Sequence, residues 1–102
     1  MFKKDVITTD MENLAKGICK RYPVSSAIAF EENNPNEMRC GVHLKLGSDE
    51  MTFYRDYKKT LDNLYEMSIR GWYIKDKEKD GIYPSLREVM EIFSQRVRIV
   101  FE

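Results

Sequence analysis

Histidine and cysteine, which supply many metal and catalytic sites, are scarce in this sequence. The 102 residues include one histidine, His43, and two cysteines, Cys19 and Cys40. Cys40 and His43 have a spacing found in some zinc sites, but an odd separation in a strand places them on opposite faces. With no paired Cys-x-x-Cys motif and no glycine-rich phosphate loop, the sequence predicts no metal ion, no cofactor and no catalytic set. We therefore expect a non-enzymatic protein whose two cysteines are reduced and buried.

A long apolar run is also absent. No stretch approaches the roughly 20 apolar residues that cross a bilayer, and the N terminus has no apolar run of signal-peptide length. These absences predict a cytoplasmic protein without a membrane partner. Seventeen basic residues balance seventeen acidic ones. This balance excludes a general attraction to nucleic acid, so that only a local patch could bind it.

The residues that are present are typical of one soluble domain. The chain is 42% hydrophobic, 12% aromatic and 33% charged, and its length suffices for one modest core. We predict a single domain over 1–102, with a disordered or extended tail at 1–8. Thr9 and Glu12 have the spacing of a capping box and precede an apolar stripe at helical spacing, so the first helix is expected over about 10–22.

Two antiparallel strands are predicted next. Apolar and polar residues alternate over 24–31 and, more strictly, over 38–46, and turn-forming residues separate the two segments. The second strand has an apolar set that is expected to face the helices: Met38, Cys40, Val42, Leu44 and Leu46. From the first strand, we expect the small residues Ser25, Ala27 and Ala29 to lie on the opposite, open face.

A long amphipathic helix is predicted from about residue 50 to 70. Its apolar residues follow a three-four spacing: Tyr54, Tyr57, Leu61 and Leu64. Gly71 suits the end of such a helix. The aromatic and basic residues of 53–59 interleave as they do in proteins that bind single-stranded nucleic acid, but on a helix core packing is the favoured interpretation.

Three further elements complete the predicted fold. Residues 72–74 could form a short strand, and they precede a charged segment, 75–81, that is expected to be the most mobile internal loop. A second capping box predicts a third helix over about 85–94, and alternation over 96–102 predicts a last strand. The order helix, strand, strand, helix, short strand, helix, strand predicts an α+β fold. We expect a two-layer sandwich with three helices on one face of a largely antiparallel sheet of three or four strands.

One short segment resembles a known family. The start of the helix-turn-helix in LexA-type winged-helix repressors is similar to residues 81–89, Gly-Ile-Tyr-Pro-Ser-Leu-Arg-Glu-Val. In that family a DNA-recognition helix and a wing follow. Here only Gln95 to Glu102 remain after the predicted helix, and they alternate as a strand, so the repressor function is not carried over.

Strand alternation predicts two candidate binding sites. If the apolar sets face the helices, five potential cations share the opposite face of the sheet: Arg39, His43, Lys45, Arg96 and Arg98. The second candidate is an acidic hairpin tip formed by Glu31, Glu32 and Glu37. The ordinary alternative for both is a solvated surface without a ligand.

These sites lead to two hypotheses for function. The first is a small protein-binding or regulatory module that acts through the sheet and the hairpin tip, one version being an inhibitor encoded by a phage or mobile element. The alternative is a nucleic-acid-binding module whose open cationic sheet face contacts phosphates. Because the last predicted strand could form an exposed edge, a homodimer through that strand is a further expectation.

Overall fold

An N-terminal helix packs against one face of a six-stranded antiparallel sheet. The structure is a computed structural model, and it describes residues 1–22, 24–67, 71–76, 80–83, 87–89, 91–92 and 95. Its elements are α1 (Lys4–Arg21), β1 (Ser26–Asn33), β2 (Glu37–Leu46), β3 (Asp49–Lys59), β4 (Tyr65–Met67), β5 (Trp72–Asp76) and β6 (Asp80–Tyr83). The α+β class and the antiparallel sheet are as predicted, but the described sheet has six strands where three or four were expected. Among the described residues, no helix is long and apolar enough to cross a membrane.

Helix α1 begins at Lys4, six residues before the predicted start at Asp10. Thr9 and Glu12, expected to cap the helix, lie inside it, because the apolar periodicity continues back to Ile7. The buried residues of α1 follow this periodicity: Ile7, Met11, Ala15 and Ile18. The stripe predicted from Met11 onward was therefore correct in position but too short.

The segment expected as a tail at 1–8 is tied to the sheet. Phe2 and Tyr65 exchange two backbone hydrogen bonds of 2.8 Å, and Lys4 onward is helical.

The prediction that both cysteines are buried is correct for Cys40 and wrong for Cys19, which is exposed on α1. Cys19 lies at the margin of the apolar stripe, next to the buried Ile18, and borders an open groove between α1 and β1.

The predicted hairpin is present as β1 and β2. Asn34 forms the turn: its Oδ1 accepts hydrogen bonds from the backbone N–H groups of Asn36, at 3.1 Å, and Glu37, at 2.8 Å. Pro35 presets the backbone of the same turn. The inward set of β2 is confirmed for Met38, Cys40, Val42 and Leu44, each at most 1% exposed. The side chain of Leu46 lies outside the described part of the chain.

The small residues of β1 lie on the opposite face from the one predicted. Ala27 pairs with Leu44 and Ala29 pairs with Val42, and paired residues share a face. Both alanines therefore pack toward α1, whereas Ile28, paired with His43, is 61% exposed. The turn at Asn34 sets this register, and a shift by one residue exchanges the two faces of a strand.

The long helix predicted over 50–70 was wrong, because β3 and β4 occupy most of that segment. In β3 the inward residues alternate strictly: Met51, Phe53, Arg55 and Tyr57. Arg55 interrupts the apolar alternation and hides the strand signal, while aromatic residues and threonine favour a strand. Leu61, assigned to the helix core, is fully exposed in the turn between β3 and β4. Residues 68–70 lie outside the description.

The sheet has the order β1-β2-β3-β5-β6, and β4 pairs with the far end of β3. The strand predicted at 72–74 is confirmed as part of β5. The loop predicted over 75–81 was wrong at both ends, since β5 and β6 pair as a hairpin in which Lys75 faces Asp80. Cross-strand pairing therefore includes the charged residues Lys75 and Asp80.

Helical residues occur at 87–89, 91–92 and 95, within the third predicted helix or just after it. Val89 is fully buried there. The described chain thus has two helical segments where three were expected. The predicted last strand at 96–102, the homodimer through it and the capping residue Ser85 lie outside the described residues.

Candidate interaction site on the open sheet face

The sheet face turned away from α1 carries a row of aromatic side chains. We call this surface the open face. Phe30 on β1, Gly41 on β2, Tyr54 on β3 and Tyr73 on β5 are successive cross-strand partners, so they form one line across four strands. The rings of Tyr54 and Tyr73 are stacked, with centroids 5.1 Å apart and planes inclined by 17°. Three of the four positions in this row are therefore aromatic.

Gly41 leaves a gap in the aromatic row. A Cβ atom at this position would lie 2.6 Å from the Cα atom of Tyr54 and would collide with the carbonyl oxygen of Phe53. Strands β2 and β3 approach so closely here that only glycine fits. Gly41 is itself buried, so the missing side chain interrupts the aromatic row without exposing the backbone.

His43 fills the space beside this gap by stacking on Phe30. The ring centroids are 4.1 Å apart and the planes are inclined by 20°. His43 Nδ1 and Thr52 Oγ1 are 2.9 Å apart and share a hydrogen bond. These two contacts fix the imidazole flat against the neighbouring ring, and His43 remains exposed to solvent.

Arg39 lies on the other side of the gap and is held by two neighbours. Its Nε donates to Asp56 Oδ1 at 2.8 Å, its Nη2 donates to Asp56 Oδ2 at 3.2 Å, and its guanidinium carbon is 4.3 Å from the centre of the Tyr54 ring. The hydrogen bond to Asp56 is the main cause that raises the pKa of Arg39 above its ordinary value. Arg39 is thus positioned as a rigid flat group whose charge is compensated.

The basic residues predicted for this face are brought together only in part. Arg39, His43 and Lys45 share it, as strand alternation predicts, while Arg96 and Arg98 lie outside the described residues. Strand pairing places both basic and acidic residues on the described part of this face. Its basic residues are Arg39, Lys45, Lys58 and Lys75. Its acidic residues are Glu32, Glu37, Glu50, Asp56 and Glu66. The described surface is balanced rather than cationic, because β3, expected as a helix, contributes two of these acids.

The three acidic residues of the hairpin tip each have a basic neighbour. Glu31 Oε2 is 3.8 Å from Lys4 Nζ on α1. Glu32 faces Arg39 across the hairpin. Glu37 faces Lys58 of β3. The tip therefore carries less uncompensated negative charge than its sequence indicates.

The aromatic members of the site were missed by the sequence analysis. Tyr54 was assigned to a helix core, Phe30 to the inward face, and Tyr73 to a short strand without a role. In the sequence, Thr52, Tyr54 and Asp56 alternate with residues of the core, and this alternation could have revealed the strand. Interleaved aromatic and charged residues at period two indicate an exposed strand face as well as they indicate a helix.

Cys40 and His43 lie on opposite faces of β2, as their odd separation in a strand predicts. Cys40 is fully buried while His43 lies on the open face. Burial raises the pKa of the Cys40 thiol to about 12, which keeps it protonated and unreactive near neutrality. Among the described residues, no three histidine, cysteine or acidic side chains converge as a metal-binding group would.

No protein-family model matches the chain, and no curated protein matches its sequence.

Proposed function

We propose that this chain is a protein-binding module and that the open face is its interface. The observation that carries the proposal is the arrangement of Arg39, which lies over Tyr54 and is neutralised by Asp56. Arginine and tyrosine held in fixed positions are typical of the residues that dominate binding energy in protein interfaces. A charge that is already compensated suits a protein partner better than a polyphosphate.

The composition of the surrounding surface supports the same interface. The aromatic side chains of the row are half-buried, and Ile28 at its edge is 61% exposed. Acidic and basic side chains surround this apolar centre in nearly equal number. An apolar and aromatic centre with a charged rim is the usual organisation of a protein–protein interface. We infer a partner surface that is apolar at its centre and of mixed charge around it.

The experiment is capture of partners from native cells with matched variants of the open face. Ile28→Ser and Tyr73→Ala should each weaken retention of a partner about tenfold or more, as loss of an anchor residue does. Leu61→Ser is the control, because Leu61 is an apolar residue that is even more exposed than Ile28 but lies in the β3–β4 turn. A partner that is retained equally by all three variants would contradict the proposal.

Nucleic-acid binding by the same face is the second candidate. It is supported by the stacked rings of Tyr54 and Tyr73 and by the neighbouring basic residues Arg39 and Lys45, since single strands bind to aromatic platforms flanked by cations. This function requires that binding to a single-stranded oligonucleotide fall steeply with salt. Arg39→Glu with Lys45→Glu should then abolish it. Salt-independent or absent binding would eliminate this candidate.

A further inference from the structure

A cavity of about 470 Å³ lies between α1 and the sheet, on the side opposite the open face. Its apolar wall includes Ile7, Met11 and Leu14 of α1 and Trp72 of β5. The volume lies within the range of about 300–1,000 Å³ that is usual for small-molecule pockets. The size and the apolar wall together are suited to a small ligand with an apolar body.

Arg55 brings a positive charge to this cavity. It occupies an inward position of β3 and is only partly exposed. Its Nε donates to the carbonyl oxygen of Gly71 at 3.3 Å, and its guanidinium carbon lies 4.0 Å from the centre of the Trp72 ring. Within the described chain, Arg55 forms no salt bridge with a carboxylate. A partly buried guanidinium without an anion gains more from binding one than an exposed guanidinium does.

Trp72 lacks a hydrogen-bond acceptor beside the same cavity. The residue is 2% exposed, and its Nε1–H has no partner among the residues that the structure describes. A buried donor without an acceptor has lost its hydrogen bond to water and destabilises the fold. Arg55 borders the cavity without a carboxylate partner among the described residues, and Trp72 borders it without an acceptor, so a ligand that carries oxygen atoms is favoured. A carboxylate supplies two such atoms and the matching charge.

The remaining polar groups limit the charge of the ligand. Asp10 of α1 also borders the cavity and is exposed. Its negative charge repels ligands that carry several negative charges, such as polyphosphates. Tyr57 is 4% exposed, and burial is the main cause that raises the pKa of its hydroxyl, so this group is neutral. The cavity therefore suits a single negative charge.

We propose that this cavity binds a small monocarboxylate with an apolar body. The carboxylate lies against Arg55, and the apolar body packs among Ile7, Met11 and Leu14. This cavity is separate from the open face, so a failure to bind a monocarboxylate would leave the proposed protein interface unaffected.

Trp72 is the only tryptophan of the chain, so its fluorescence reports on the cavity directly. Three probes with the same alkyl chain distinguish the charge that is recognised: octanoate, 1-octanol and octylamine. Octanoate should change the emission saturably and bind about tenfold more tightly than the other two, as expected for a hydrogen-bonded ion pair. Equal affinity for octanoate and 1-octanol, tighter binding of octylamine, or no saturable change with any probe would overturn the proposal.

Substitution of Arg55 provides the second arm. Arg55→Gln should weaken octanoate binding about tenfold or more and leave 1-octanol unaffected, because only the charged hydrogen bonds are lost. Arg39→Gln is the matched control, since Arg39 also stacks on an aromatic residue but faces away from the cavity. Unchanged octanoate binding in Arg55→Gln would overturn the assignment. The three-probe comparison on the unaltered chain decides the question if that variant does not fold.

Discussion

Gly41 and Tyr54 face each other across β2 and β3 so closely that position 41 has no room for a Cβ atom. The contact has two consequences for the open face. It forces a gap into the aromatic row between Phe30 and Tyr54, and it leaves His43 and Arg39 as the side chains on either side of that gap. The close approach of two backbones thus shapes the surface that we propose as an interface.

The first prediction concerns this close approach. Gly41→Ala should destabilise the fold by about 1–3 kcal/mol, because the new methyl group must displace the backbone of β3. Gly17→Ala is the control: Gly17 lies in α1 with no atom within 4 Å of an added Cβ. That substitution should stabilise the fold by about 0.5–1 kcal/mol through helix propensity. Urea unfolding of the unaltered chain and the two variants measures both changes in the free energy of unfolding. Equal changes in the two variants would contradict the close approach of β2 and β3 at position 41.

The second prediction concerns the pair formed by Arg39 and Asp56. Both side chains are partly exposed, at 44% and 25%, but their two hydrogen bonds fix the geometry. A double-mutant cycle with Arg39→Gln and Asp56→Asn should give a coupling free energy of about 0.5–1 kcal/mol that decreases with added salt. Chemical unfolding at low and high ionic strength measures it. The Lys45–Glu50 pair, at 4.0 Å and more exposed, serves as the comparison and should show weaker coupling.

The third prediction concerns alkaline pH. Burial raises the pKa of Cys40 from 9.0 to about 12 in the folded protein, so the unfolded chain loses this proton at a lower pH. Cys40 therefore stabilises the fold below pH 9, and this contribution is lost as the pH rises from about 9 to about 12. Tyr57, whose pKa is raised chiefly by burial, acts in the same direction.

The measurement for this effect is the free energy of unfolding at pH 8 and at pH 10. Cys40→Ala should be less stable than the unaltered chain at pH 8 because a buried side chain is truncated. The free energy of unfolding of Cys40→Ala should nevertheless fall less between pH 8 and pH 10 than that of the unaltered chain. An identical fall in both proteins would show that Cys40 titrates normally in the folded state.

The fourth prediction separates the two cysteines by reactivity. Cys19 is exposed, whereas Cys40 is fully buried and protonated. A thiol reagent at neutral pH should modify one thiol quickly in the folded protein and the second only after unfolding. Cys19→Ser should remove the fast phase and leave the slow one. Rapid modification of both thiols would contradict the burial of β2.

The β1–β2 hairpin could be predicted because the residues that specify it lie close together in the sequence. Strict alternation over 38–46 and the turn formers around Asn34 specify two paired strands without reference to the rest of the chain. The faces of β1 could not be assigned in this way. Ile28 and Ala29 are both apolar, and only the register of the turn and the packing of α1 decide which of them is buried.

β3 was missed for a different reason, which bears on both proposed sites. Tyr54 and Tyr57 have helical spacing, and Arg55 stands where an apolar residue would reveal a strand. In the structure these residues serve different surfaces: Tyr54 belongs to the open face, while Arg55 and Tyr57 border the cavity. The residues that obscure the pattern of secondary structure are those that supply the candidate sites.

Site-specific photo-crosslinking shows which surface of the protein touches a partner. A photoreactive amino acid is placed at position 28, on the open face, or at position 61, in the β3–β4 turn, and crosslinked in native cells. If the open face is the interface, position 28 should give a discrete protein adduct and position 61 none. Equal adducts from both positions, or an adduct of position 28 with nucleic acid instead of protein, would contradict the proposed interface.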